Sequence, residues 1–330
     1  MGIFIDCCKK RKKLNEEKYN IFGIKNLGNT CFMNSSLQCI IHCKKLKEKI
    51  ELLSPQDNIE NKKLVKELFF LLQNINKGEK IINPSKLKEI LGEVEEKYKY
   101  YEQNDANEFI TIFLNQLLKE LNGFGEYKTI NIPSNELEKK AFEKLEKRFF
   151  LKNNSFLLNL FYGRIKRDYI CENGHICTIK FNNFNTLILP HPQESNDIID
   201  LLQLYQKMKK IEDTIFCNEC KKEVKYSIKS SIYSIPEYLI LCLEKEFIYS
   251  SSGMKYHKIL KTKEFMENNS SIYSLFSLIV YSGDREHGHY TAKIYQGEKL
   301  YHISDSDYKR INNEEINDKN SIILFYEKIN

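Results

Sequence analysis

The stretch from Asn26 to Gln38 reads NLGNTCFMNSSLQ, and its one cysteine, Cys31, stands between turn-forming residues and the start of an apolar run with helical spacing. A thiol at a helix N-terminus faces unpaired backbone N–H groups and the positive end of the helix dipole, both of which favour thiolate over thiol. Such a group can act as a nucleophile. Gly28 and Asn29 supply a tight turn before it, and Asn26, five residues upstream, offers an amide that can donate to an oxyanion. The competing reading of any single cysteine is a small buried hydrophobe, because free Cys is among the most buried residue types.

A cysteine nucleophile needs a general base, commonly a histidine distant in sequence. Of the seven histidines, His289 sits in GHYTAKIYQ, where Gly288 permits close backbone approach and the following alternation predicts a strand that holds the ring. Alone, a histidine at a strand start is more often just a polar surface residue. A base needs an orienting group, and YHISDSD brings Ser304, Asp305 and Asp307 one hairpin later, although an Asp-rich turn is also simply a turn.

Two kinds of element must position these groups. Apolar residues at Met33, Leu37, Ile40, Ile41 and Leu46 predict a helix over 33–46, with Asn29 or Thr30 placed to cap it. Further helical patterns cover about 61–76, 84–91, 104–122 and 134–150. From about 156 the chain turns to short alternations rich in Tyr, Ile, Phe and Val, broken by Gly, Pro or Asn, which predict antiparallel strands with one helix between them at about 196–210. The expected fold class is α+β, a helical first half followed by a C-terminal sheet.

Four segments in order resemble one family. GIKNLGNTCFMNSSLQCI is similar to the cysteine box of the ubiquitin-specific proteases, papain-like deubiquitinating cysteine peptidases; QNDANEF, from Gln103 to Phe109, resembles their downstream glutamine-aspartate motif. FSLIVYSGDREHGHYTAKI resembles their histidine box, and LYHISDSDYKRI followed by SIILFYEKI resembles their last box and closing strand. The resemblance runs from about 21 to 329. It implies a helical thumb, an antiparallel β palm and β-strand fingers in a single catalytic domain over 21–330, with the thumb at about 21–125 and the fingers and palm at about 150–330. It implies hydrolysis of the (iso)peptide bond after ubiquitin's C-terminal glycine, with Cys31 as nucleophile, His289 as base and later acid, and Asn26 as oxyanion donor. The family's orienting position, usually Asn or Asp, is Ser304 here, followed by Asp305; a hydroxyl accepts from imidazole but cannot offset its charge. Asp305 is therefore expected to supply much of the electrostatic support. For substrate, the resemblance implies that Asp105 receives ubiquitin's extended basic tail, with Glu108 on the same predicted helix face and Gln103 in the same motif, while Gly288 and Tyr290 narrow the channel to glycine.

The family often carries a zinc site of two Cys-x-x-Cys knuckles. Cys217 and Cys220 in CNEC form one; in CENGHIC, Cys171 matches the other, but Gly174 occupies its second ligand position, leaving His175 or Cys177 as substitutes. Cys171, His175, Cys217 and Cys220 would suit tetrahedral zinc in a structural role, and the alternative is a relic pair of thiols. No cofactor is expected for catalysis.

The net charge of +6 is concentrated in MGIFIDCCKKRKK, which carries +4. The rest shows no basic stripe with interleaved aromatics, so nucleic-acid binding is not expected. No apolar run reaches the roughly 18 residues of a membrane span, and no signal-peptide pattern is present, so an intracellular, cytoplasmic monomer acting on ubiquitin and ubiquitinated proteins is expected. Residues 1–20 are expected to form a basic flexible tail. Within it Gly2, Cys7, Cys8 and the run Lys9 to Lys13 resemble a lipid-anchor signal for peripheral membrane contact, although Asp6 replaces the usual Ser or Thr. Two other functions share the motifs: a ubiquitin-binding pseudoenzyme, suggested by Ser304, and a protease for another ubiquitin-like modifier.

Overall fold

The structure is a computed structural model that describes residues 21–53, 61–125, 127, 132–133, 135–190, 197–243, 255–266, 269–284 and 287–330. The basic tail, with Gly2, Cys7, Cys8 and Lys9 to Lys13, lies outside the described residues.

The helices are α1 (Cys31–Ile41), α2 (Lys44–Glu51), α3 (Lys63–Asn76), α4 (Ser85–Val94), α5 (Ala106–Glu120), α6 (Glu136–Leu145), α7 (Phe156–Phe161) and α8 (Ile198–Tyr205). The strands begin with the short pair β1 (Gly23–Ile24) and β2 (Ile81–Ile82), followed by β3 (Gly163–Cys171), β4 (Ile176–Phe184), β5 (Leu187–Leu189) and β6 (Lys209–Cys217). Next come β7 (Lys222–Ser234), β8 (Tyr238–Leu243), β9 (Ile259–Lys261) and β10 (Ile272–Gly283). The chain closes with β11 (Gly288–Gln296), β12 (Lys299–Ser304), β13 (Asp307–Ile311) and β14 (Ser321–Lys328). The described residues fall into two compact units, one of those up to Gln116 with those of 276–321 and one of those of 117–275 with 322–330.

In the first unit α1 is buried on every side. Its apolar residues, among them Phe32, Met33, Leu37 and Ile40, each gain roughly 1.5–3 kcal/mol on full burial. Its buried polar side chains donate to backbone carbonyls, Ser36 Oγ to Phe32 at 2.7 Å and Gln38 Nε2 to Phe22 at 2.7 Å, while Asn34 Oδ1 and Gln38 Oε1 accept no hydrogen bond among the described residues. The helix is shorter than the expected 33–46, breaking after Ile41 before α2 begins at Lys44. Thr30 stands at the cap position, but its side chain does not cap α1; Oγ1 instead accepts from the Leu27 N–H at 2.9 Å. Asn29 likewise donates to the Tyr101 carbonyl. β11 pairs antiparallel with β10 and β12, and β12 with β13. β1 pairs parallel with β2, and the Ile24 N–H donates to the Asp305 carbonyl at 2.7 Å, tying the entry to the cysteine stretch to the β12–β13 turn.

In the second unit the sheet order is β4-β3-β7-β6, while β8 pairs parallel with β5 and antiparallel with β14. The expected helix at 134–150 is α6 continued by one π-helical turn over Glu146–Phe150. Within that turn the buried Glu146 carboxylate pairs with the Arg164 guanidinium, which stacks 3.9 Å from the Phe150 ring centre. The expected helix at 196–210 is shorter, because residues 209–217 form β6.

Candidate active site

Cys31 opens α1 and is only 4% exposed. The thiol is pushed up from its ordinary value, first by burial; the Tyr290 backbone N–H opposes this, the Asp305 charge adds to it, and the N–H groups of Phe32 and Cys31 oppose it again. Burial therefore outweighs the helix-end N–H groups, and the expected bias toward thiolate is reversed in this state.

The turn before Cys31 fixes the Asn26 side chain from both ends. Its Oδ1 accepts from the Gly28 N–H at 2.8 Å and the Thr30 N–H at 3.3 Å, while its Nδ2 donates to Asp305 Oδ2 at 2.8 Å. This path needs Gly28 at φ +98° and Asn29 at φ +52°, the left-handed region that Gly and Asn tolerate best. The other Asp305 oxygen accepts from Asn34 Nδ2 at 2.7 Å. Asn34 was not singled out from the sequence. It is 1% exposed, and the available signal was a buried-type position three residues after Cys31 filled by a polar amide.

His289 lies near the start of β11, opposite Ser282 of β10. Its Nε2 is 2.9 Å from Ser304 Oγ and 3.9 Å from Asp305 Oδ2. Asn26, His289, Ser304 and Asp305 are thus brought together, and Asn34 joins them through the Asp305 carboxylate.

The other candidate residues divide. Gln103 Oε1 accepts from the Gly288 N–H at 3.2 Å, linking the glutamine-aspartate motif to the start of the histidine strand. A Cβ at Gly288 would stand 2.2 Å from the Tyr281 ring, so only glycine fits there. Tyr290 is buried beside Tyr281, their ring centres 4.8 Å apart. Asp105 does not share a helix face with Glu108: it precedes α5, and its Oδ1 accepts from the N–H groups of Asn107 at 2.8 Å and Glu108 at 3.1 Å. That is a helix cap, the usual use of Asp at such a boundary. Glu108 is ion-paired with Lys97.

In the second unit, Cys171, His175, Cys217 and Cys220 bring one ligand atom each within 4.8 Å of one another. Cys171 Sγ is 4.0 Å from Cys220 Sγ, and His175 Nδ1 is 3.3 Å from Cys220 Sγ and 3.8 Å from Cys217 Sγ. Tetrahedral zinc with bonds of about 2.0–2.3 Å sets ligand atoms about 3.5–3.8 Å apart, so the donor set fits that ion. The His175 N–H donates to Cys171 Sγ at 3.3 Å and the Cys220 N–H to Cys217 Sγ at 3.5 Å. Such bonds favour thiolate, and the Cys217 thiol is drawn down to about 6, first by the Cys220 N–H.

The sequence model of the family described as Ubiquitin carboxyl-terminal hydrolase matches residues 22–326. Usp2 of Drosophila melanogaster is 25% identical over 95% of this chain and 35% of its own length. Probable ubiquitin carboxyl-terminal hydrolase 4 of Schizosaccharomyces pombe is 28% identical over 97% of this chain and 60% of its own. Ubiquitin carboxyl-terminal hydrolase 2 of Homo sapiens is 26% identical over 92% and 54%. The chain thus spans from 35% to 60% of the length of these relatives. Among solved structures, a SAGA DUB module with Ubp8 bound to monoubiquitin aligns at a TM-score of 0.74 and 18% identity over 96% of this chain and 70% of that one. That likeness shows the α+β fold. With residues 22–326 of its 330 matched, the chain belongs to the ubiquitin carboxyl-terminal hydrolase family.

Proposed function

We propose that this chain is a thiol-dependent deubiquitinating hydrolase that cleaves the (iso)peptide bond after the C-terminal glycine of ubiquitin. The observation that carries the reading is the hydrogen-bonded set of Asn26, Asn34, His289, Ser304 and Asp305 in the unit whose first helix begins at Cys31. Family membership supports ubiquitin as the acyl donor.

With the His289 Nε2 proton donated to Ser304 Oγ, Nδ1 keeps its lone pair and serves as the base. It takes the Cys31 proton as sulfur attacks the glycine carbonyl carbon. The second amide hydrogen of Asn26, whose orientation the Asp305 carboxylate and the turn N–H groups fix, donates to the resulting oxyanion. Imidazolium then returns its proton to the departing amine, leaving a thioester on Cys31. Water, deprotonated by the same imidazole, hydrolyses the thioester and releases the ubiquitin carboxylate. Asp305 offsets the imidazolium charge that Ser304 cannot. Asp105, Glu108, Gln103, Gly288 and Tyr290 receive the extended tail of the modifier. Cys171, His175, Cys217 and Cys220 hold a structural zinc, which would tie the tips of β3–β4 and β6–β7 together.

Ubiquitin bearing a C-terminal electrophile tests the reading. A mass increase of one ubiquitin on the wild type and none on Cys31→Ala, together with turnover of a ubiquitin C-terminal fluorogenic amide, is the expected result. An adduct without turnover would turn the reading to a pseudoenzyme. No adduct on folded protein would turn it to another modifier.

A further inference from the structure

A fifth ligand-bearing side chain stands beside the Cys171, His175, Cys217 and Cys220 group. Cys177 is half-buried and packs against Cys171, Cys217 and Val224. Its thiol lies 3.8 Å from the His175 carbonyl oxygen, toward which it donates. The cause is a break in strand register. Tyr169 pairs with Thr178 but Ile170 pairs with Ile176, so Cys177 is the extra residue of a β-bulge. Regular alternation would send Cys177 and its neighbours to opposite faces, whereas a bulge re-aims a side chain. Here it places a further thiol beside the four grouped side chains, packed against Cys171 and Cys217.

The five differ in how firmly they are held. Cys171 and Cys217 are buried, whereas His175 is exposed and follows Gly174, which sits at φ +84° in the β3–β4 turn. The imidazole is the most exposed of the side chains, whereas Cys177 is half-buried against Cys171 and Cys217. A thiolate is at least as good a zinc ligand as imidazole.

Resting on the reading of these residues as a metal site, we propose that Cys177 is its reserve ligand: when His175 leaves the metal, Cys177 takes the vacated position. The metal–Nδ1 bond breaks, a metal–Sγ bond forms, and the thiol proton passes to the released imidazole. A Cys₃His set becomes a Cys₄ set without loss of the ion and without any oxidation.

The test uses the full chain purified with zinc or cobalt. The wild type is expected to hold one metal ion per chain, and iodoacetamide is expected to alkylate Cys177 while sparing Cys171, Cys217 and Cys220. His175→Ala is expected to keep its metal, to protect Cys177 from alkylation, and to raise the cobalt sulfur-to-metal absorption by about a third as three thiolates become four. His175→Ala combined with Cys177→Ser is expected to lose the metal. If His175→Ala alone loses the metal, or keeps it with Cys177 still reactive, the reserve-ligand proposal is overturned while the site itself stands. A wild type that binds no metal overturns both. Should His175→Ala fail to fold, carbethoxylation of His175 in the folded, metal-loaded wild type gives the same comparison: protection of Cys177 supports the proposal and metal release overturns it.

Discussion

Ser304 Oγ lies 2.9 Å from His289 Nε2, closer than the Asp305 carboxylate oxygen at 3.9 Å. The hydroxyl therefore holds the ring, while the neighbouring carboxylate acts on its charge from slightly further away and also holds the amides of Asn26 and Asn34. Ser304→Ala removes one neutral hydrogen bond, for which a loss of turnover of about tenfold is expected. Asp305→Ala removes the counter-charge and also frees the Asn26 amide proposed to receive the oxyanion, for which a loss of at least about a hundredfold is expected. Steady-state kinetics on a fluorogenic ubiquitin substrate separates them, and a larger loss for Ser304→Ala would reverse the assignment of roles.

Burial raises the Cys31 thiol, so the free enzyme should hold little thiolate near neutrality. The rate of Cys31 alkylation, followed by mass, is expected to climb with pH through the ordinary cysteine range and beyond it. A plateau below pH 7 would mean instead that a thiolate–imidazolium pair already exists before substrate arrives.

Arg164 and Glu146 form a buried pair, the guanidinium packed on Phe150, with Arg164 Nε and Glu146 Oε2 lacking partners among the described residues. Arg164→Met strands the carboxylate and is expected to cost about 3–5 kcal/mol in denaturant unfolding. Burial already pushes the Glu146 carboxyl up to about 7. The unfolded chain releases this proton near about 4.5 and the folded chain near about 7, so stability is fully present below about pH 4.5 and falls as pH rises through 7, and the Arg164→Met loss comes on top of that. Replacing both residues by Met should recover most of it.

His42 stacks on Phe22 with its Nδ1 2.7 Å from the Gln38 carbonyl, and burial pushes the imidazole down to about 4. The unfolded chain takes up this proton near 6.5 and the folded chain does not. Stability is therefore fully present above about pH 6.5 and declines as pH falls toward 4. His42→Gln should flatten that part of the stability–pH curve, as thermal melts in a pH series would record.

Much of this arrangement was legible in the sequence because local chemistry and spacing agree. CNEC and CENGHIC carry the ligand spacing that the folded strands bring together, and the alternation after Gly288 is that of β11. What escaped reading depends on tertiary context. β6, KKIEDTIFC, is exposed at most positions, so it shows no apolar period and its start was absorbed into the preceding helix. Asn34 gains its meaning only from Asp305, 271 residues away. Thr30 has the right identity for a helix cap, yet the preceding turn claims its hydroxyl, and Asp105 turned out to be the cap that its spacing disguised as a helical residue. In each case propensity named the residue type correctly and a competing partner decided its use.

Asp305 adopts φ +51°, in the left-handed region, between β12 and β13. Two independent requirements thereby meet at one position: a short anionic side chain and a backbone shape that most residues resist. Asparagine satisfies the shape but not the charge, and glutamate the charge but not the shape. Position 305 is thus a bottleneck for sequence drift, where each single step from aspartate gives up at least one requirement and where backbone economy, as much as chemistry, confines the choice.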